Sequence, residues 1–162
     1  MWEIVRQIFT YAIAFTIPLL ITALGGLFSE RSGIVNIGLE GLMVMGFFAA
    51  ALTIFKLEPV IANAGLRVLL GLVAAVVAGM LFSLLHAVAS INMKANQVIS
   101  GTAINMMAGA LTVYLARTIT GSGNILITAG VPRFDIPGLV KIPVLGPLLF
   151  RQTYITTWLV LV

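Results

Sequence analysis

Four long apolar runs constrain the fold of this chain more than any other feature of its sequence. The hydrocarbon core of a bilayer is crossed by about 20 mostly apolar residues in a helix, and each run reaches or approaches that length. The runs cover residues 7–28, 33–55, 68–91 and 98–116. The sequence therefore predicts an all-α fold, a polytopic bundle of transmembrane helices with about four full spans.

The composition excludes a water-soluble globular domain. Hydrophobic residues make up 60% of the chain and charged residues 9%, whereas a soluble domain averages roughly a quarter charged residues. The net charge is +4, but the basic residues stand singly between the apolar runs, as the flanks of membrane spans do. We therefore expect a lipid bilayer around the chain and no nucleic acid as a partner.

The character of the sequence changes after residue 116. Residues 117–152 hold four of the six prolines and five glycines, which predicts a long loop. Residues 153–162 are apolar again and would begin a fifth span, but as a helix they rise only about 15 Å, half of a bilayer. We expect residues 1–162 to be the N-terminal part of a single, longer membrane domain; the alternative is a re-entrant or interfacial helix at 153–162.

Small residues recur at every fourth position in the third and fourth runs. Such stripes let two helices approach closely in a membrane, where van der Waals packing drives their association. The candidates for helix packing are Gly71, Ala75, Gly79 and Ser83 in the third run, and Gly101 and Gly109 in the fourth.

Polar side chains inside the apolar runs are candidates for function. Glu40 is the acidic residue placed well inside a run, and an ionisable group at membrane depth is costly unless it serves a pathway. The alternative is a position near the surface, with Gly33 and Gly38 holding an irregular start of the helix. Asn36 would share a helical face with Glu40 if the segment is helical, and Asn105 needs an interhelical partner or a wet cavity.

Nothing in the sequence predicts catalysis or a metal site on this chain. His86 is the single histidine and cysteine is absent, so a metal site lacks its usual ligands. No phosphate-binding loop with lysine and no clustered catalytic set is present. We expect no enzyme activity, no metal and no cofactor here.

Two stretches resemble a known family. Residues 28–41, FSERSGIVNIGLEG, and residues 95–105, ANQVISGTAIN, resemble the permease subunits of bacterial ABC importers for nucleosides and simple sugars. That family lies within the larger group that also serves ribose and branched-chain amino acids. The two motifs occur in the same order as in that family, and each has the same position relative to its span. They are most similar to the nucleoside branch.

The resemblance implies a membrane-spanning permease subunit that carries nucleosides across the bacterial plasma membrane by alternating access. It implies ABC ATPase subunits that bind ATP and Mg, a second permease subunit, identical or homologous, and an extracytoplasmic substrate-binding protein. Our candidates for the substrate path are Asn36, Glu40, Gln97 and Asn105.

The orientation and three other functions remain open at this point. The Lys and Arg count favours a cytoplasmic N-terminus, whereas the resemblance implies an extracytoplasmic one, with residues 117–152 as an external cap. We adopt the extracytoplasmic N-terminus that the resemblance implies. The alternative functions are a permease for a simple sugar such as ribose, a channel not coupled to an ATPase, and a small structural membrane subunit.

Overall fold

The computed structural model describes residues 1–151, 153 and 154. Within them, four helices are long and apolar enough to cross a membrane, which confirms the all-α, polytopic fold class. They are α1 (Trp2–Arg31), α2 (Leu39–Leu57), α3 (Ala64–Ala87) and α4 (Gln97–Thr120). The chain divides into two compact units, Gly26–Gly130 and a second unit of Met1–Gly25 with the chain from Val131 onward.

Asparagine side chains set the start of two of these helices. The Asn63 side chain accepts a hydrogen bond from the backbone N–H of Leu66 at the start of α3. The Asn96 side chain does the same for Val98 in α4. Each bond satisfies a backbone donor that has no partner within its own helix. At the other end of α4, Gly121 has φ +74°, the left-handed conformation that commonly ends a helix.

The pair α2 and α3 packs antiparallel through small residues. A Cβ at Gly71 would lie 2.9 Å from the Ile54 side chain, and one at Gly46 would lie 3.4 Å from the Ala75 carbonyl oxygen. Gly71 and Ala75 of the predicted stripe therefore face α2. A Cβ at Gly79 would meet no described atom within 4 Å, so that part of the stripe lies open.

The pair α2 and α4 packs parallel, and its contact is tightest where both helices begin. A Cβ at Gly101 would lie 2.8 Å from the backbone nitrogen of Gly38, and one at Gly41 would lie 2.9 Å from the Cα atom of Asn105. Further along the pair, apolar side chains form the core of this unit. They are Met45, Phe48, Ala51 and Ile54 from α2, and Ile104, Ala108 and Ala116 from α4.

The second unit contains short elements after the membrane helices. Strands β1 (Arg133–Phe134) and β2 (Thr153–Tyr154) pair antiparallel, and the helical turn α5 covers Leu145–Leu149. The Arg133 guanidinium carbon lies 4.9 Å from the centre of the Tyr154 ring and 5.9 Å from that of Tyr11. Thr153 and Tyr154 are extended in this structure, and residues 155–162 of the predicted fifth span lie outside the described residues, so that span stays a prediction.

We predict that Gly101→Ala destabilises the protein, whereas the matched variant Gly109→Ala does not. The new methyl group at Gly101 would lie 2.8 Å from backbone, and overpacking of this kind costs about 1–3 kcal/mol. No described atom lies within 4 Å of a Cβ at Gly109, and removing a glycine from a helix gains about 0.5–1 kcal/mol. Thermal unfolding in detergent measures both; equal midpoints for the two variants would contradict the packing described here.

Candidate functional site

A non-helical segment, residues 32–38, joins α1 to α2. Gly33 has φ +86°, and the Asn36 Oδ1 atom accepts a hydrogen bond of 2.9 Å from the backbone N–H of Gly38. This local bond offers the backbone an alternative to the helix. The condition under which Asn36 would share a helical face with Glu40 is therefore not met, because α2 begins only at Leu39.

Asn105 of α4 holds the start of α2 with both atoms of its amide. Its Oδ1 atom accepts from the backbone N–H of Gly41 at 2.7 Å, and its Nδ2 atom donates to the carbonyl oxygen of Ile37 at 3.0 Å. The N-cap residue Gly38 has no side chain to cap its own helix. Asn105 thus supplies from a neighbouring helix the acceptor that a capping side chain usually provides.

Gln97, at the first position of α4, completes the group. Its Oε1 atom accepts a hydrogen bond of 2.7 Å from the backbone N–H of Val35. The structure therefore brings together three of the four candidate path residues, Asn36, Gln97 and Asn105. We call these three side chains the amide cluster. All three are half-buried, and each uses its carbonyl oxygen on a backbone N–H of residues 35–41.

The amide cluster keeps two free donor groups. Within the described part of the chain, the amide nitrogens of Asn36 and Gln97 donate no hydrogen bond. An uncharged amide donor can bind a hydroxyl or a carbonyl oxygen of a ligand without the cost of burying a charge. The cluster can therefore both hold the backbone and contact a polar, uncharged ligand.

Glu40 does not share the contacts of the amide cluster. Its side chain is exposed and lies in the first turn of α2, where the partial positive charge of the helix N-terminus favours a carboxylate. No ion pair links it to a described basic residue. The irregular helix start that the sequence allowed as an alternative is the geometry found here.

His86 has a structural environment that the sequence did not predict. Its side chain is 3% exposed; the Nδ1 atom lies 3.0 Å from Ser100 Oγ, and the Nε2 atom lies 3.4 Å from Ser90 Oγ. Ser90 belongs to a π-helical turn, Val88–Asn92, that continues α3. His86 therefore joins the end of α3 to α4. Among the described residues, no group of three metal-ligating side chains is found.

We predict that Asn105→Leu strongly destabilises the protein, while Glu40→Gln leaves its stability nearly unchanged. Leucine has a similar volume but leaves the N–H of Gly41 and the carbonyl of Ile37 without their partner, and each unsatisfied group costs about 1–3 kcal/mol. An exposed substitution usually changes stability by less than about 0.5 kcal/mol. Thermal unfolding of both variants tests this; an unchanged midpoint for Asn105→Leu would contradict the capping role.

The amino-acid sequence is similar to those of several curated permease proteins. The chain is 44% identical, over 96% of its length, to the guanosine ABC transporter permease protein NupQ of Bacillus subtilis (strain 168). It is 39% identical, over 91% of its length, to the nucleoside ABC transporter permease protein NupC of Lactococcus lactis subsp. cremoris (strain MG1363). It is 35% identical, over 83% of its length, to the putative glucose ABC transporter permease protein TsgC13 of Haloferax volcanii.

The chain spans about half the length of the first two relatives, 48% and 46%, and 39% of the third. No solved structure matches it. The model of the family described as "Branched-chain amino acid transport system / permease component" matches residues 8–141, and four apolar helices fit a multi-pass membrane protein. The chain therefore belongs to the family of branched-chain amino acid transport system permease components.

Proposed function

We propose that this chain forms part of a permease subunit that carries nucleosides across the membrane in an ATP-driven ABC importer. The observation that carries the proposal is the 44% identity to a guanosine permease over 96% of the chain. The amide cluster supports it, since amide donors suit the hydroxyls and base edges of a nucleoside.

The mechanism we propose is alternating access. Partner ATPase subunits bind and hydrolyse ATP, and the conformational change is driven by their different affinity for ATP in the two states. This chain then needs no catalytic residue. Its part is to line the path with Asn36, Gln97 and Asn105 from the amide cluster and with the exposed carboxylate of Glu40.

We further propose the partners and the orientation that this mechanism requires. The partners are two ABC ATPase subunits with bound ATP and Mg, a second permease subunit and an extracytoplasmic substrate-binding protein. The location is the bacterial plasma membrane, with the N-terminus outside. The connection 93–96 between α3 and α4 then faces the cytoplasm. The predicted external loop, residues 117–152, lies outside only from Gly121 onward, because α4 continues to Thr120.

A simple sugar is the second candidate substrate. It is supported by the 35% identity to a putative glucose permease over 83% of the chain. A sugar offers hydroxyls to the same amide donors but has no flat base. Substrate competition therefore separates the two candidates.

We expect that cells with the intact gene take up labelled guanosine in an energy-dependent manner, and that disruption of the gene abolishes this uptake. Excess unlabelled nucleoside should compete with the label, and excess glucose or ribose should not. The matched control is the disrupted strain carrying the gene on a plasmid. If disruption abolished sugar uptake and left nucleoside uptake intact, the proposed nucleoside substrate would be overturned. Uptake that survives depletion of ATP would overturn the proposed coupling to ATP hydrolysis.

The orientation can be tested with single cysteines introduced into residues 1–162, which contain none. Ser122 follows α4 and Lys94 precedes it, and both are exposed. With the N-terminus outside, a membrane-impermeant maleimide added to intact cells should label Ser122→Cys and not Lys94→Cys. Permeabilised cells provide the control, since both variants should then react. The reverse pattern in intact cells would overturn the proposed orientation.

A further inference from the structure

A groove separates α2 from α4 at the end of the pair opposite to the amide cluster. The two helices touch closely at Gly38 and Gly101 and leave a space of about 490 Å³ further along. That volume lies in the range of ligand sites, about 300–1,000 Å³. The helices contribute Val44, Phe47 and Phe48 from α2, and Thr112 and Ala116 from α4.

The third wall of the groove is a non-helical segment, residues 123–127, which we call the strap. The chain leaves α4 at Thr120 and then returns along it, because the strap and Thr112 line the same groove. Thr112 lies eight residues before the end of α4, which corresponds to about 12 Å along the helix. The groove therefore extends along α4 from the strap to Thr112.

The backbone of the strap lacks hydrogen-bond partners. Within the described part of the chain, no hydrogen bond involves the backbone groups of Ile125, Leu126 or Ile127. These groups are therefore available as hydrogen-bond donors and acceptors to a ligand in the groove.

The far end of the strap is held in place by a hydrogen bond to Glu58, which also lies beside the buried Arg67. The Thr128 hydroxyl donates to Glu58 Oε1 at 2.5 Å, and Arg67 Nη1 lies 3.8 Å from the same atom. Arg67 is 9% exposed, and its Nε atom has no partner among the described residues. Because Glu58 and Arg67 lie beside the α2–α3 connection, this contact fixes the strap to the end of α2.

The chemistry of the groove selects one class of ligand. Phe47 and Phe48 offer aromatic faces, on which any nucleobase can stack, and the strap offers backbone donors and acceptors for the edge of a base. No charged side chain is among the described residues that line the groove. A phosphate or a zwitterionic amino acid would enter it without a counter-charge, which is costly.

We propose that this groove is a binding site for a nucleoside, with the base between the phenylalanine wall and the strap. This inference rests on the proposed function and deepens it, since it adds a second contact region on the path, separate from the amide cluster. The ligand is uncharged, planar and rich in hydrogen-bonding groups. A nucleotide or an amino acid is excluded by its charge.

The test uses Phe47→Cys in the complete transporter, in membranes that also serve for uptake measurements. Phe47 is 73% exposed, so the substitution leaves the core intact. The thiol should react with a water-soluble maleimide, and guanosine at ten times its dissociation constant should slow the reaction about tenfold by mass action. The matched control is Val60→Cys, which is 77% exposed on the α2–α3 connection outside the groove and should react equally with and without guanosine.

Leu126→Cys in the strap is the second variant, and guanosine should protect it as well. A thiol at Phe47 that never reacts would show that lipid or another protein segment covers the groove, and would overturn the proposal. Reaction without protection, in membranes that still take up guanosine, would place the binding site elsewhere while the proposed function stands. Equal protection by guanosine monophosphate or valine would overturn the ligand class, and absence of guanosine uptake by the unsubstituted transporter would overturn the proposed function itself.

Discussion

The structure depends on one constraint: backbone N–H and C=O groups inside a membrane protein need partners, and each break in a helix exposes several of them. The break at residues 32–38 lies against α4, and the amide cluster supplies the missing acceptors and one donor. Asn105 contributes two of these bonds. The start of α2 is therefore held by the Asn105 side chain of α4 and by Asn36, which precedes α2 in the chain.

The same constraint explains why glycines surround the break. The Asn105 amide reaches the backbone of Ile37 and Gly41 only because α2 and α4 approach closely, and a Cβ at Gly41 would lie 2.9 Å from the Cα atom of Asn105. The close packing of α2 against α4 and the hydrogen bonds of the Asn105 amide therefore depend on each other. Towards their other ends, the two helices line the groove, with Phe47 and Phe48 on the α2 side.

Some residues could be assigned from their sequence pattern, and others could not. Glu40 and Asn36 stood out because polar groups in apolar runs are costly, yet the pattern left open whether Asn36 lies on a helix or before it. Gly79 and Gly71 belong to one stripe of small residues, but only Gly71 meets a described neighbour. His86 carried no recognisable motif, because its partner Ser100 lies on the next helix.

By itself, the sequence determined the membrane-spanning helices and the family, since hydropathy is a sum over each segment and the motifs are local. Only the tertiary structure decided what the polar residues contact. The Asn105 bonds to Gly41 and Ile37, like the groove that the strap and Thr112 both line, join segments distant in sequence or separated by a chain reversal. Such contacts are set by how the helices approach one another, which no periodicity along a single helix encodes.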